Sequence, residues 1–181
     1  MRLFVAVDLP DVVKDRLVAF KTDIPTARWT NRHQMHITLF FLGETDRMAE
    51  VRAALEGVQA NPFDLSLAGV GRFPGGSRRP PRVLWAGIDA PPELARLQAR
   101  VVSALAAVGF EPDTRPFSPH ITLARLKAER TVPAAAAFIE RHTDFRAGPV
   151  HVDRFTLYAS QLTPHGSRYT VQAQYPLLGG R

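Results

Sequence analysis

The sequence has no cysteine among its 181 residues, which excludes disulfide bonds, thiolate nucleophiles and cysteine-ligated zinc. It has no apolar run long enough to cross a bilayer, and its first residues become charged too soon to predict a signal peptide. It also contains no glycine-rich phosphate loop, the motif that indicates a bound nucleoside triphosphate. We therefore expect a cytoplasmic protein without a nucleotide cofactor.

The composition indicates a folded, basic protein. Hydrophobic residues make up 45% of the chain, which favours a globular fold, and the length suits one domain or two small lobes that share a core. Lys and Arg number 23 against 17 Asp and Glu, and most of the net charge of +6 is carried by arginine. Such a balance favours anionic partners, and nucleic acid first.

The most informative feature is a tetrapeptide that occurs twice, as His36-Ile37-Thr38-Leu39 and as His120-Ile121-Thr122-Leu123. Both copies lie in apolar, β-branched surroundings that predict strands. Because successive side chains of a strand alternate between its faces, each His shares one face with the Thr two residues later. The Ile and Leu of each copy point to the other, hydrophobic face. Each strand thus presents an imidazole beside a hydroxyl.

The elements around the two motifs are predicted to follow the same order: strand, helix, His-x-Thr strand, helix and strand. The strands outside the motifs are predicted at 3–9, 63–69, 83–88, 150–160 and 169–174, and the helices at 11–24, 46–60, 92–108 and 132–141. The alternation indicates an α/β-type class, and the repeated order suggests a duplication. We predict a single domain over 1–181, made of two similar lobes about a pseudo-twofold axis with a ligand cleft at their junction.

Two imidazoles that face each other across a cleft could act as a general acid and a general base. A His pKa lies near neutrality, so one ring can be neutral while the other is protonated. The two Thr hydroxyls could donate to anionic oxygens held between the rings. A phosphodiester fits these groups, because its attacking and leaving oxygens lie roughly in line, and it would need no metal. The residues alone do not decide which His is the acid.

Several other residues are weaker candidates for the site. Arg125 could reach a phosphate, although strict alternation turns it away from His120 unless the strand ends or bulges between them. Residues 71–82 predict a flexible, breaker-rich loop that either contacts a nucleic-acid backbone or is simply solvated. The arginines of that loop are Arg72, Arg78, Arg79 and Arg82. The aromatic residues that would either stack on a base or join the core are Trp29, Phe40 and Tyr158.

The remaining histidines predict no metal site. His33 is close to His36 in sequence, but a strand points the two side chains to opposite faces, so a shared metal ion is not expected. We expect His142 at a helix end, where a cationic ring suits the helix dipole. His165 is expected in a loop, either at the rim of the cleft or on the open surface.

With their flanks, the two motifs resemble the 2H phosphoesterase superfamily, named for its two His-x-Thr motifs. Within it the chain is most similar to the bacterial and archaeal 2′-5′ RNA ligase family, also called RNA 2′,3′-cyclic phosphodiesterases. The matching segments are 2–7, 36–43, 81–87, 119–125 and 157–160. The match covers nearly the full length and shows no departure at the four motif positions.

The resemblance implies a bilobal α+β fold, duplicated, with two antiparallel or mixed sheets and outer helices about a pseudo-twofold cleft. It implies hydrolysis of RNA 2′,3′-cyclic phosphate ends to a 2′-phosphate, with His36 as proton donor and His120 as proton acceptor. Thr38 and Thr122 would hold the phosphate, with Arg125 as a weaker candidate. Replacement of water by an RNA 5′-hydroxyl would give 2′-5′ ligation. The resemblance implies neither a metal nor a cofactor, and we expect a monomer that binds RNA and no membrane.

Two other functions fit the sequence. The same chemistry could act on a small cyclic nucleotide or on ADP-ribose cyclic phosphate. Alternatively, the chain could be a non-catalytic RNA-binding module that retains a relic site, although the presence of all four motif residues disfavours this.

Overall fold

The computed structural model describes residues 1–76, 78–127 and 131–179, and within them it shows an α+β fold with four α-helices and two antiparallel sheets. The helices are α1 (Asp11–Val18), α2 (Met48–Glu56), α3 (Pro92–Ala107) and α4 (Val132–Arg141). The strands are β1 (Arg2–Asp8), β2 (Arg28–Trp29), β3 (His36–Glu44), β4 (Phe63–Phe73), β5 (Val83–Asp89), β6 (His120–Arg125), β7 (Arg146–Val152), β8 (Arg154–Thr163) and β9 (Gly166–Pro176). A short 3₁₀ helix, Arg32–Gln34, precedes β3. The α+β class implied by the resemblance is confirmed, whereas the α/β-type class indicated by the alternation of elements is wrong, because both sheets are antiparallel.

The two motif strands lie in different sheets. The first sheet has the strand order β3-β1-β8-β9, and the second has the order β2-β6-β5-β4-β7. All the neighbouring strands in both sheets are antiparallel. None of the helices within the described ranges is both long and apolar enough to span a membrane.

One face of each sheet is packed into a continuous hydrophobic core with the helices. On β1, Leu3 and Val5 are fully buried, and they alternate with residues of the opposite face. Helix α3 contributes the predicted stripe of Leu94, Leu97, Val101 and Leu105, all fully buried. Each such side chain contributes about 1.5–3 kcal/mol when it leaves water. The burial fixes which face of each strand points inward, and therefore which face is left for the motif residues.

The two halves of the chain exchange strands. The first half supplies β1 and β3 to the first sheet, but its last strand, β4, lies in the second sheet between β5 and β7. The second half supplies β5 and β6 to the second sheet, and its last strands, β8 and β9, complete the first sheet beside β1. Each sheet is therefore built from both halves, a pairing that the sequence pattern does not reveal.

Helix α1 is shorter than predicted. It ends at Val18 rather than at residue 24. Phe20 leaves the helix and packs edge-on against Phe145, with 4.7 Å between the ring centroids, and it also contacts Phe138 of α4. This aromatic packing of Phe20 outweighs one further helical turn, because an isolated helical turn contributes little by itself.

Two further boundaries differ from the prediction. The apolar run at 150–160 is two strands, β7 and β8, which are separated at Asp153 and belong to different sheets. The predicted loop at 71–82 is in part a strand, because β4 continues to Phe73 and includes Arg72. The Arg72 side chain donates to the carbonyls of Pro74, at 3.0 Å, and Arg79, so it ties down the start of the loop instead of projecting from it. Ser77 lies outside the described residues.

Candidate active site

The His and Thr of each motif share one face of their strand, as the alternation predicts. On β3, His36 and Thr38 are half-buried, whereas Ile37 between them is fully buried. On β6 the same pattern recurs, with Ile121 fully buried. We call the side of each sheet that carries the His and Thr its motif face.

Both imidazole rings are held by the same local hydrogen bond. His36 Nδ1 lies 2.7 Å from the carbonyl oxygen of Gln34, and His120 Nδ1 lies 2.7 Å from that of Ser118. A carbonyl only accepts, so Nδ1 must carry the hydrogen in both rings, and Nε2 is the free position of the neutral ring. His36 Nε2 is 2.9 Å from Thr38 Oγ1. Each ring is thus pinned at one nitrogen and presents the other on the motif face.

The chain holds the two motif strands close to each other. Strands β3 and β6 are in contact although they belong to different sheets. Strand β2 lies alongside β6, and the Thr30 N–H donates to the Leu123 carbonyl at 2.8 Å. Only the 3₁₀ helix then separates this anchored segment from β3.

His36 is a neutral base in the free protein. Its pKa is lowered to about 4, chiefly because burial penalises the imidazolium. The Gln34 carbonyl and the Asp8 carboxylate oppose this shift, while Lys14 and His120 add to it. The ring is enclosed by aromatic side chains on the motif face of the first sheet. Their centroid distances from His36 are 4.8 Å for Phe4, 5.5 Å for Tyr169 and 6.4 Å for Tyr158.

Both motif strands bulge at the same point. Thr38 pairs with Ala6 and Phe40 pairs with Val5, so Leu39 is an extra residue on β3. Leu123 is likewise extra on β6, because Thr122 pairs with Trp85 while Ala124 pairs with Leu84. Each bulge reverses the alternation for the residues that follow it. The bulges therefore return the residue five positions after each motif His to the motif face.

The two residues that the bulges return are Phe41 on β3 and Arg125 on β6. Phe41 is 67% exposed, although it is a large apolar side chain. Arg125 is exposed, and it lies opposite Val83 of β5, on the motif face of the second sheet. Because β6 bulges between His120 and Arg125, the two side chains lie on the same face of the strand.

The three aromatic residues predicted from the sequence have different places. Phe40 is 5% exposed and belongs to the core, and Trp29 packs against Phe138 with centroids 5.7 Å apart. Tyr158 lies on the motif face, stacked on Phe4 at 5.2 Å. Burial raises the pKa of Tyr158 to about 12, so its phenol stays neutral.

Sequence reasoning missed Phe4, Phe41, Phe73 and Tyr169. Phe73 contacts His120 edge-on, with 4.9 Å between the centroids, and is the second sheet's counterpart of the aromatic wall around His36. A signal was available only for Phe41. Two apolar residues follow each motif Thr, and this break in the alternation is typical of a bulge.

The other histidines lie apart from this site. His142 lies at the C-terminal end of α4 as predicted, and burial against Phe20 and Phe138 lowers its pKa, which disfavours the cationic ring expected there. His165 is exposed in the turn between β8 and β9. Within the described residues, no three His, Asp or Glu side chains cluster as a metal site would require.

Comparisons with known proteins show the family of the chain and its fold. The family model of the 2′-5′ RNA ligase superfamily matches residues 10–163. The chain is 34% identical to an RNA 2′,3′-cyclic phosphodiesterase of Archaeoglobus fulgidus, over 93% of this chain and 96% of that protein. Its fold is similar to that of a Thermus thermophilus protein, with a TM-score of 0.78, 31% identity and 100% of both chains covered. It is also similar to Escherichia coli LigT complexed with 3′-AMP, with a TM-score of 0.77, 29% identity and 98% of both chains covered.

Two His-x-Thr couples on neighbouring strands of an α+β fold define the class of the 2H phosphoesterases. The family match spans both couples and parts of both sheets. The chain belongs to the 2′-5′ RNA ligase superfamily.

Proposed function

We propose that the protein hydrolyses 2′,3′-cyclic phosphate at RNA ends to a 2′-phosphate, with His36 and His120 as its acid–base pair and without a metal ion. The observation that carries the proposal is the pair of rings on two contacting strands, each pinned at Nδ1 and presenting Nε2 on its motif face. Relatives over most of the chain are named RNA 2′,3′-cyclic phosphodiesterases.

In the proposed reaction the cyclic phosphate lies between the two motif faces. His120 Nε2 takes a proton from a water molecule as the water oxygen bonds to phosphorus. The bond from phosphorus to O3′ breaks, and His36 Nε2–H gives its proton to O3′. The products are a 2′-phosphate and a 3′-hydroxyl. If an RNA 5′-hydroxyl replaces the water, the same proton transfers give a 2′-5′ linkage, which is the ligation expected in vitro.

The assignment of His36 as donor follows the family resemblance and imposes a condition on the reaction. With its pKa lowered to about 4, chiefly by burial, His36 is a neutral imidazole at neutral pH in the free protein, with its hydrogen on Nδ1 and none on Nε2. It must therefore gain its proton together with the substrate, whose anionic phosphate favours the imidazolium. Thr38 and Thr122 then donate to the phosphate oxygens, and Thr38 exchanges its contact with His36 for one with the substrate.

The residues returned by the two bulges suit a nucleotide. The exposed ring of Phe41 offers a surface on which a base can stack, and Arg125 offers a guanidinium that can bind phosphate. Because the two lie at matching positions of opposite sheets, they would contact different parts of one nucleotide chain.

A row of exposed cations favours RNA over a small cyclic nucleotide. Arg28 and Arg125 lie directly opposite each other on β2 and β6, where like charges repel. Beside them Arg82 donates to the Lys127 carbonyl at 3.4 Å. Within the described residues none of these four side chains pairs with a carboxylate. A phosphate backbone would relieve the repulsion, whereas a mononucleotide would reach only part of the row.

The test is turnover of an oligoribonucleotide that ends in 2′,3′-cyclic phosphate, with chelator present and the product resolved as 2′- or 3′-phosphate. Wild type should form the 2′-phosphate, and His36→Ala and His120→Ala should each lower the rate roughly 10²–10⁴-fold. Thr38→Ala and Thr122→Ala should each cost about 1–3 kcal/mol of transition-state stabilisation.

His151→Ala is the matched control, because His151 is exposed on β7 and pairs with Asp64 at 2.7 Å. It should leave the rate unchanged. Full activity of either active-site His variant would reject the mechanism, and loss of wild-type activity in chelator would reject its independence of metal. RNA binding without any turnover would favour the non-catalytic alternative.

A further inference from the structure

The two His-Thr couples have matching positions but different neighbours across their strands. On β1 the residue opposite His36 is Asp8. On β5 the residue opposite His120 is Gly87. The register matches in both sheets, since Ala6 lies opposite Thr38 as Trp85 lies opposite Thr122. The cross-strand neighbour of His36 thus carries a carboxylate, whereas the cross-strand neighbour of His120 has no side chain.

Gly87 lacks a side chain for a structural reason. A Cβ atom added there would lie 2.3 Å from the carbonyl oxygen of Ala68 on the neighbouring strand β4. Real Cβ atoms do not come that close to backbone, so the second sheet has no room for a counterpart of Asp8. The asymmetry is therefore built into the strand packing and does not depend on side-chain conformation.

Asp8 is itself held by a buried cation. Lys14 Nζ of α1 lies 2.7 Å from Asp8 Oδ1, and the Lys14 side chain is only 11% exposed. The same carboxylate oxygen accepts the backbone N–H of Leu9 at 2.8 Å. An ammonium group is seldom buried unless it is paired, so the pair fixes the Asp8 carboxylate beside the His36 strand.

Few other charges act on His36. Tyr158 of β8 and Tyr169 of β9 face the ring, but burial raises the pKa of both phenols and they stay neutral. His120 of β6 adds only repulsion when it is protonated. Among the described residues, Asp8 is thus the one whose negative charge favours the imidazolium form of His36, and Lys14 works against it.

We propose that Asp8 and Lys14 form a positioning pair that makes the two couples unequal, with the carboxylate favouring a proton on His36 and the buried ammonium setting how strongly it does so. Among the described residues no such pair accompanies His120, which lies opposite Gly87 and is left as the proton acceptor. The inference rests on the proposed function for the roles of donor and acceptor, but the charge effect on His36 is independent of turnover.

The experiment is an NMR titration of the histidine rings in the full-length protein, with signals assigned from His36→Gln and His120→Gln. Lys14→Met keeps the buried stem and removes the cation, so the pKa of His36 should rise by about one unit relative to wild type. Asp8→Asn should lower it. The double variant Asp8→Asn/Lys14→Met should return it close to the wild-type value, and Lys14→Arg should leave it unchanged.

His120 is the internal control, and its titration should change less than that of His36 in every variant. The limb of the pH–rate profile that reports the proton donor should move to higher pH in Lys14→Met by the same amount as the His36 titration. If Asp8→Asn alone fails to fold, with Lys14 left buried and unpaired, the comparison of Lys14→Met with the double variant still tests the inference.

The two proposals fail in different ways. An unchanged His36 titration in folded Lys14→Met and in the double variant would overturn the positioning role, even if the enzyme hydrolyses cyclic-phosphate RNA. If the titrations shift as expected and wild type shows no turnover, the proposed function is wrong and the charge effect of the pair on His36 stands. Equal shifts at His36 and His120 would also overturn the inference, because the asymmetry would then be absent.

Discussion

At the scale of single residues, His36 has two requirements that conflict. Its burial among Phe4, Tyr158 and Tyr169 shapes the site but penalises the charged ring that a proton donor needs. An anionic substrate resolves the conflict, because it brings the counter-charge that the free protein lacks. The sequence predicts the His-Thr couple and its face, since these follow from alternation alone. It does not predict the depth of burial, because the surrounding aromatic rings come from β1, β8 and β9.

The burial of His36 should make stability depend on pH. The ring titrates near pH 4 in the folded protein and near 6.5 when unfolded, so the unfolded state binds more protons between these values. The contribution is absent above about pH 6.5, and stability falls as pH drops toward 4. We expect about 2 kcal/mol of lost unfolding free energy from this group between about pH 7.5 and 5. Urea unfolding at the two pH values should show this loss in wild type.

His36→Gln removes the titrating ring, so its stability should fall by about 2 kcal/mol less over the same pH change. His165→Gln is the matched control, since His165 is exposed in the turn between β8 and β9 and lacks the burial of His36, so its replacement should preserve the wild-type difference. An equal pH dependence in wild type and His36→Gln would contradict the burial argument.

At the scale of elements, the bulges in β3 and β6 decide which side chains the site contains. Periodicity predicts both strands correctly, yet it fails beyond Leu39 and Leu123, where each strand gains one residue. Periodicity also predicts 150–160 as one strand, because an apolar pattern indicates that residues are buried but not in which sheet they lie. Helix α3, whose stripe packs along its whole length, is predicted well because no such change interrupts it.

The β3 bulge places Phe40 in the core and Phe41 on the surface, so substitution of these two neighbours should have different effects on stability and activity. Phe40 is 5% exposed, so Phe40→Ala should cost about 3–5 kcal/mol of stability. Phe41 is 67% exposed, so Phe41→Ala should change stability little. Loss of one stacked base is worth about 1–3 kcal/mol, so Phe41→Ala should lower kcat/KM on RNA roughly 5–150-fold.

Thermal unfolding and steady-state kinetics on both variants separate these effects. Phe41→Tyr is the conservative control, because it keeps a ring that can stack, and it should retain most of the activity. If Phe41→Ala destabilises the protein as much as Phe40→Ala does, the alternation is not reversed after Leu39. If Phe41→Ala is stable and fully active, Phe41 does not bind the base.

At the scale of the whole molecule, the row of cations predicts a difference between substrates. Raising the salt concentration from about 50 to 200 mM should lower kcat/KM on an oligoribonucleotide with a cyclic-phosphate end, because each counterion released on binding then gains less entropy. A mononucleotide 2′,3′-cyclic phosphate should respond much less. Arg28→Gln should weaken the salt dependence on the oligonucleotide.

Arg154→Gln is the control for net charge, because this substitution also removes one cation. Arg154 already pairs with Asp153 at 3.0 Å, so it is not available to bind RNA phosphate in the same way. It should leave the salt dependence near that of wild type. Equal salt dependence on both substrates would favour a small cyclic nucleotide as the natural substrate.

The exchange of strands between the halves also determines what happens if the chain is divided. A cut in the loop after β4 would leave β1 on one fragment and its neighbour β8 on the other, and it would separate β4 from both β5 and β7. Every interior strand of the second sheet would lose a partner. We therefore expect neither fragment to fold alone, and we expect the fold and its active centre to form only where the two fragments associate.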